Sequence, residues 1–274
     1  MRYLVAIPLL GSLIACVVTA CGGGAGTATP TPVVSVPVSD ARQREIEDRI
    51  VSAFENSTTT IQYASIVNIQ DGRGYTAGRA GFTSGTGDML LVVEEYTTTV
   101  PNNVLAPYLP ALRSVNGTDS VKGLDGLVQA WKTACQDPQF IATQDAVNER
   151  LYRQPSRQLV SELGAKLPLT KLAVYEAGIQ HGYGTDFDSV VRIAARATVA
   201  AAGTPNSGID EKKWLQAFLT ERRKDLLNPA NKATAAGWAA SVSRADAIQS
   251  IYNSGNFNLD QPIRITVYGD TFSI

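Results

Sequence analysis

The stretch from Asp71 to Asp88 limits the architecture more than any other part of the chain. Six of its eighteen residues are glycine, and the β-type residues Tyr75, Thr76, Phe82 and Thr83 lie between them. Each glycine in a helix interior costs about 1 kcal/mol relative to alanine, so this run reads as a hairpin or a small three-stranded sheet. Its surroundings read as helix. Asp40 can cap a helix whose apolar face is Ile46, Ile50 and Phe54 and which ends at Glu55. Ile61, Ile66 and Ile69 mark a further short helix or strand. Asp88 opens a helix through Tyr96, and helical patterns follow over 104–114, 124–135, 138–153, 157–166, 169–181, 187–202, 210–228 and 231–252. The alternation of Ile263, Ile265 and Val267 predicts a strand or extended tail over Pro262–Tyr268. The expected class is mainly α (α+β), with one small β element inserted early.

The start of the chain is outside this fold. Residues 1–20 combine Met1-Arg2 with an apolar run from Leu4 to Val18, too short for a spanning helix, and read as a signal peptide. Small residues before Cys21 resemble a lipoprotein processing site, which would leave Cys21 as a lipidated N-terminus. Residues 21–39 are rich in Gly, Thr, Pro and Val and have the composition of a tether. The folded domain is expected over 40–274. The expected location is outside the cytoplasm, lipid-anchored to the membrane or cell surface, or secreted after release. The membrane is contacted through the anchor alone.

Much chemistry is excluded by composition. The chain has one histidine, His181, and processing would leave Cys135 as the only cysteine of the domain. That set cannot build a zinc site or an internal disulfide. No G-x-S-x-G elbow is present to recruit His181 into a triad. The glycines of 72–78 do not form G-x-G-x-x-G, and Gly85-Thr86-Gly87-Asp88 lacks the lysine of a phosphate loop. A net charge of −1 without a basic cluster argues against nucleic acid. Carboxylates remain. Glu45, Glu47, Glu94 and Glu95 read as solvated helix charges. Glu55, Asp71 and Asp88 stand instead at junctions between elements, where functional side chains concentrate.

Three segments give these junctions a family. Phe54-Glu55-Asn56-Ser57, Asp71-Gly72-Arg73-Gly74-Tyr75-Thr76-Ala77-Gly78 and Gly81-Phe82-Thr83-Ser84-Gly85-Thr86-Gly87-Asp88-Met89-Leu90 resemble the signature region of the family 46 glycoside hydrolases, the bacterial chitosanases. The likeness continues through Leu105–Leu112, Val115–Gly117, His181-Gly182, Phe218-Leu219 and Tyr268-Gly269-Asp270. It implies a lysozyme-like fold of two helical lobes around a substrate cleft. It further implies inverting endo-hydrolysis of β-1,4-linked glucosamine polymer, or its partly N-acetylated form, by a monomer without cofactor. Matched by position, Glu55 is the general acid, Asp71 the general base, Thr76 a holder of the attacking water and Arg73 a neighbour of the pair. Asp88, Ser57 and His181 fall on substrate-binding positions. Glu176, Arg222 and Arg244 fall on a supporting acid–arginine network, with Glu176 where the family often has aspartate. The interval from Glu55 to Asp71 is 16 residues (71 − 55), about two shorter than in well-known members, and contains no tryptophan.

The chemistry fits this assignment. Inversion needs a neutral acid and an ionised base roughly 6.5–9.5 Å apart. Glu55 beside Phe54 is expected in a desolvated, acid-favouring place, and Asp71 beside Arg73 in a cationic one. Two other readings use the same residues: a peptidoglycan-acting hydrolase, for which Asp88 has no ammonium to bind, and a non-catalytic amino-sugar-binding surface protein, which has no need of both carboxylates.

Overall fold

The computed structural model describes residues 39–70, 72–232 and 235–274. Asp71, the expected base, and Cys21, the expected lipidation site, lie outside them, as does nearly all of the expected signal and tether.

The first helix, α1 (Asp40–Asn56), is capped by Ser39 rather than Asp40. Ser39 is extended, and its hydroxyl accepts from the Arg42 amide at 3.3 Å. Asp40 instead occupies the first turn, where its charge complements the helix dipole. A three-stranded antiparallel sheet follows, β1 (Ile66–Asn68), β2 (Tyr75–Ala77) and β3 (Phe82–Thr83). In its register Thr76 faces Val67 and Thr83. Next come α2 (Asp88–Thr99), α3 (Leu109–Val115), α4 (Leu127–Ala134) and α5 (Pro138–Asn148). Beyond them lie α6 (Gln154–Leu163), α7 (Pro168–His181), α8 (Val190–Ala201) and α9 (Glu211–Leu227). The chain ends in α10 (Ala235–Ala240), α11 (Val242–Asn253) and a hairpin, β4 (Arg264–Val267) with β5 (Asp270–Ser273). The class is mainly helical with a small antiparallel sheet, as expected.

Local departures have local causes. The pattern over 138–153 does not stop before Pro155. A π-helical turn, Glu149–Arg153, carries the chain straight from α5 into α6, with Pro155 in the first turn of α6. The wider turn supplies the place where a residue without an N–H and with a bulky ring is tolerated. The pattern over 231–252 splits at Ser241, whose hydroxyl donates to the Trp238 carbonyl at 2.8 Å and accepts from Gln180 of α7 at 2.6 Å.

Two apolar cores result. In one, Ile46, Ile50 and Phe54 of α1 pack against α7, α8, α9, α11 and β4. Helix α7 is apolar on nearly every side and runs through the middle of this core. In the other, Ile66, Ala77 and Phe82 of the sheet pack against α2, α3, α4 and α5. There Trp131 meets Phe140 edge-on at 4.9 Å, and full burial of such a ring contributes about 2–3 kcal/mol. The layer between the cores is polar. Arg153 of the π turn pairs with Glu47 and Asp48 of α1. Arg79, between β2 and β3, pairs with Asp48 and with Asp145 of α5. Asn148 of α5 donates to the Tyr175 hydroxyl of α7 at 3.1 Å.

Candidate active site

Helix α1 delivers Glu55 to this polar junction on its last turn. The chain then leaves through Ser57 in a left-handed conformation, φ 52°. Glu55 Oε1 lies 2.7 Å from Arg244 Nη1, and the side chain is 18 % exposed. The carboxylate is therefore partly buried and ion-paired. Its other oxygen rests on the loop between β2 and β3. A Cβ built on Gly81 would stand 3.0 Å from Glu55 Oε2 and 3.4 Å from the Thr76 methyl. Gly81 also has φ +65°, so glycine is required there twice, for backbone and for space. Gly81→Ala is expected to displace the Glu55 carboxylate. Initial-rate measurements should show kcat falling about tenfold or more with KM nearly unchanged, the effect of roughly 1.4 kcal/mol on a transition-state contact. An unchanged kcat would show that Glu55 does not act from this position.

Thr76 stands beside this contact on β2. Its hydroxyl is buried and has no hydrogen-bond partner among the described residues. Such a group normally acquires one. The chain reverses between β1 and β2 through Gln70 and Gly72, with φ of 57° and 87° on either side of Asp71. Arg73 follows, exposed, with its carbonyl accepting from the Gly85 amide at 3.0 Å.

Behind Glu55 the charges continue inward. Arg244 also pairs with Glu176 of α7, its Nε donating to Oε1 at 2.8 Å. Glu176 Oε2 pairs with Arg222 of α9, and Arg222 Nη2 donates to Gln180 at 2.7 Å. Glu176 and Arg222 are fully buried. Burial by itself would push the Glu176 carboxyl up, but the Arg222 and Arg244 guanidiniums outweigh it and hold the group below its ordinary value. The structure thus brings Glu55, Arg244, Glu176 and Arg222 into one continuous chain of ion pairs. The extra methylene of Glu176 is accommodated within it.

Asp88 opens α2, but Gly87 occupies the cap position. The Asp88 carboxylate instead binds across to its surroundings. Oδ1 accepts from the Thr83 amide at 2.7 Å, the Thr86 hydroxyl at 2.8 Å and the Met89 amide at 3.0 Å. Oδ2 accepts from the Tyr152 hydroxyl at 3.0 Å. Burial pushes its pKa up despite these four donors. Among the described residues, no three His, Cys, Asp or Glu side chains are grouped to hold a metal ion.

The family model described as Glycosyl hydrolase family 46 matches residues 49–263. The chain belongs to glycosyl hydrolase family 46. As a family 46 protein it is a glycoside hydrolase. It is 46 % identical to a chitosanase of Bacillus subtilis (strain 168) over 225 residues, 81 % of each chain. It is 38 % identical to a chitosanase of Nocardioides sp. (strain N106), covering 98 % of this chain and 96 % of that one. Among solved structures, it resembles a Gynuella sunshinyii family 46 chitosanase in complex with chitotetraose, at TM-score 0.83 and 44 % identity. A mutant chitosanase of Bacillus subtilis MY002 complexed with 6 GlcN matches at TM-score 0.83 and 45 % identity. Each comparison covers 86 % of this chain and 99 % of the solved one.

Within this family 46 site, His181 is buried. His181 is 7 % exposed, its Nδ1 lies 2.9 Å from the Asp188 carbonyl oxygen, and its ring meets Trp238 edge-on at 4.8 Å. Burial and the nearby Arg222 charge depress its pKa to about 3. The ring packs against Trp238 of α10, close to Arg222. Ser57 is exposed on the turn after Glu55. Sequence reasoning did not find Tyr152 or the charge pairs of Arg79 and Arg153. The only local signal for Tyr152 was Pro155 inside a helical pattern.

Proposed function

We propose that the chain cleaves β-1,4-linked glucosamine polymer internally and with inversion, with Glu55 as general acid and Asp71 as general base. The observation that carries this reading is the seat of Glu55. One carboxylate oxygen is held by Arg244, and the other lies over Gly81 beside the side chain of Thr76, whose buried hydroxyl has no partner among the described residues. Chitosanase relatives and family 46 structures with glucosamine oligomers support the substrate class.

In this mechanism the polymer lies along the junction of the two cores. Glu55 gives its proton to the glycosidic oxygen as the bond to the anomeric carbon breaks. Asp71, on the turn between β1 and β2, takes a proton from water attacking the opposite face. Thr76 offers its hydroxyl to that water, and Arg73 contributes positive charge near Asp71. Asp88 binds a glucosamine ammonium through Oδ2, which carries one donor and keeps acceptor capacity. Ser57 offers a hydroxyl beside the acid. Glu176 and Arg222 hold Arg244, and Arg244 holds Glu55. No cofactor enters these steps. The protein works as a monomer outside the cytoplasm, on a tether lipidated at Cys21.

The test is proton NMR of the products from highly deacetylated chitosan, beside assays on fully acetylated chitin and on bacterial cell walls. The α-anomer should form first, from chitosan only. The β-anomer first would refute inversion. Preferential cleavage of cell walls would favour a peptidoglycan hydrolase, and tight polymer binding without reducing ends a binding protein.

A further inference from the structure

Strands β2 and β3 are joined by the turn Gly78-Arg79-Ala80-Gly81, between the paired Ala77 and Phe82. Its two glycines have φ of 72° and 65°, and both are pressed against neighbours. A Cβ on Gly78 would stand 2.3 Å from Gln144 Oε1 of α5, and one on Gly81 would stand 3.0 Å from Glu55 Oε2 of α1. The Arg79 amide donates to the same Gln144 Oε1 at 3.2 Å, and the Gly78 amide donates to the Ser65 carbonyl at 2.8 Å. The turn is thus wedged between α5 and the end of α1.

The Arg79 side chain extends this wedge. Its Nη2 donates to Asp48 Oδ1 of α1 at 2.5 Å, and its Nη1 donates to Asp145 Oδ1 of α5. Each acid has a second holder. Arg153 Nη2 donates to Asp48 Oδ1 at 2.5 Å, and the Tyr63 hydroxyl donates to Asp145 Oδ1 at 2.8 Å. Asp48 and Glu55 are seven residues apart (55 − 48), so they lie two turns apart on one face of α1, about 10 Å from each other. One turn of the sheet therefore meets α1 at both places. A single contact leaves a sheet free to rock about it, whereas two fix its tilt as well as its distance. The Arg79 side chain is only 9 % exposed, and a buried ion pair often gives no more net stability than an apolar side chain of similar size. What the planar guanidinium does supply is geometry, because its two amino groups hold two carboxylates in fixed directions.

We propose that Arg79 is a positioning residue for the hydrolysis: by bridging Asp48 and Asp145 it locks the β2–β3 turn against Glu55, and so sets how far the acid stands from the sheet that carries Thr76 and leads into the turn of Asp71. An inverting pair works only at a spacing that admits one water, roughly 6.5–9.5 Å, so slack in this brace lowers the rate. The inference rests on Glu55 being the acid.

The test compares Arg79→Lys and Arg79→Met in the full chain, measuring Tm, and kcat and KM with a glucosamine hexamer well below the melting range. Lysine keeps the charge, but its single ammonium cannot span both acids as the guanidinium does. Its Tm should stay close to wild type while kcat falls about tenfold and KM barely moves, the mark of a misplaced catalytic group. Methionine removes both bonds and should lower kcat further, by up to about 10²-fold. Arg79→Lys and Gly81→Ala loosen the same contact, so the double variant should be about as slow as the slower single one. Losses that multiply would show that Arg79 does not act through this turn and would overturn the proposal. So would wild-type kcat in Arg79→Lys, or an Arg79→Lys that loses Tm, kcat and KM together, as a merely structural residue does. Glu55→Gln is run beside them. Full activity there removes the acid and with it the premise, whereas an inert Glu55→Gln beside normal Arg79 variants removes only the brace.

Discussion

Glu55→Gln is expected to lower the rate of chitosan hydrolysis by about 10³-fold or more, with little change in KM. A positioned general acid contributes typically 10²–10⁴-fold, and the amide has no proton of suitable acidity to give the leaving oxygen. The substitution keeps the shape of the side chain and an oxygen that can still accept from Arg244, which lies 2.7 Å away. The fold and the polymer affinity should therefore survive. Single-turnover rates and binding of a glucosamine oligomer, measured on the same preparation, separate the two effects. A loss below tenfold in kcat would remove Glu55 from the proton-donating role, since no structural argument then distinguishes it from a surface acid.

Glu176→Gln is expected to destabilise the protein by about 3–5 kcal/mol, because it leaves two buried guanidiniums facing a neutral amide. Both Arg222 and Arg244 pair with Glu176, and Arg222 and Glu176 are fully buried. In a domain of this size that amounts to a Tm lower by roughly 10 °C. The exposed pair of Arg113 with Glu94 is a control, since solvated pairs contribute about 0–1 kcal/mol and Glu94→Gln should scarcely register. Acidification adds a second readout. The Glu176 carboxyl is held below its ordinary value of 4.5, so its stabilisation is complete above that pH and fades as the pH falls further. Thermal unfolding between pH 6 and pH 3 should therefore be less steeply acid-dependent in Glu176→Gln than in wild type. Equal Tm values for the two proteins at pH 6 would mean that the network contributes nothing net to folding.

The second effect also bears on catalysis. If Arg244 loses its inner partner, Glu55 loses a fixed one, and activity should fall in Glu176→Gln even where the protein remains folded. Remote residues then matter to the reaction through position alone, for Glu176 lies behind Arg244 and touches no polymer in the proposed mechanism.

Several features were legible in the chain itself. The glycine-dense run limits the sheet to a few short strands, because glycine opposes helix and the run is short. Ile46, Ile50 and Phe54 set the buried face of α1 and with it the end at which Glu55 emerges. The absence of a second histidine and of paired cysteines removed metal and triad chemistry and left carboxylates. These are local or compositional properties, and a linear pattern expresses them fully. The tertiary structure decided the rest. Pairing of Glu55 with Arg244, and of Arg153 with Glu47, joins residues far apart in the chain, and no periodicity encodes which charges meet. The burial of His181 depends on where α10 brings Trp238. Helix periodicity reports which face of an element is apolar, whereas the environment of each polar group is supplied by elements folded against it from elsewhere in the chain.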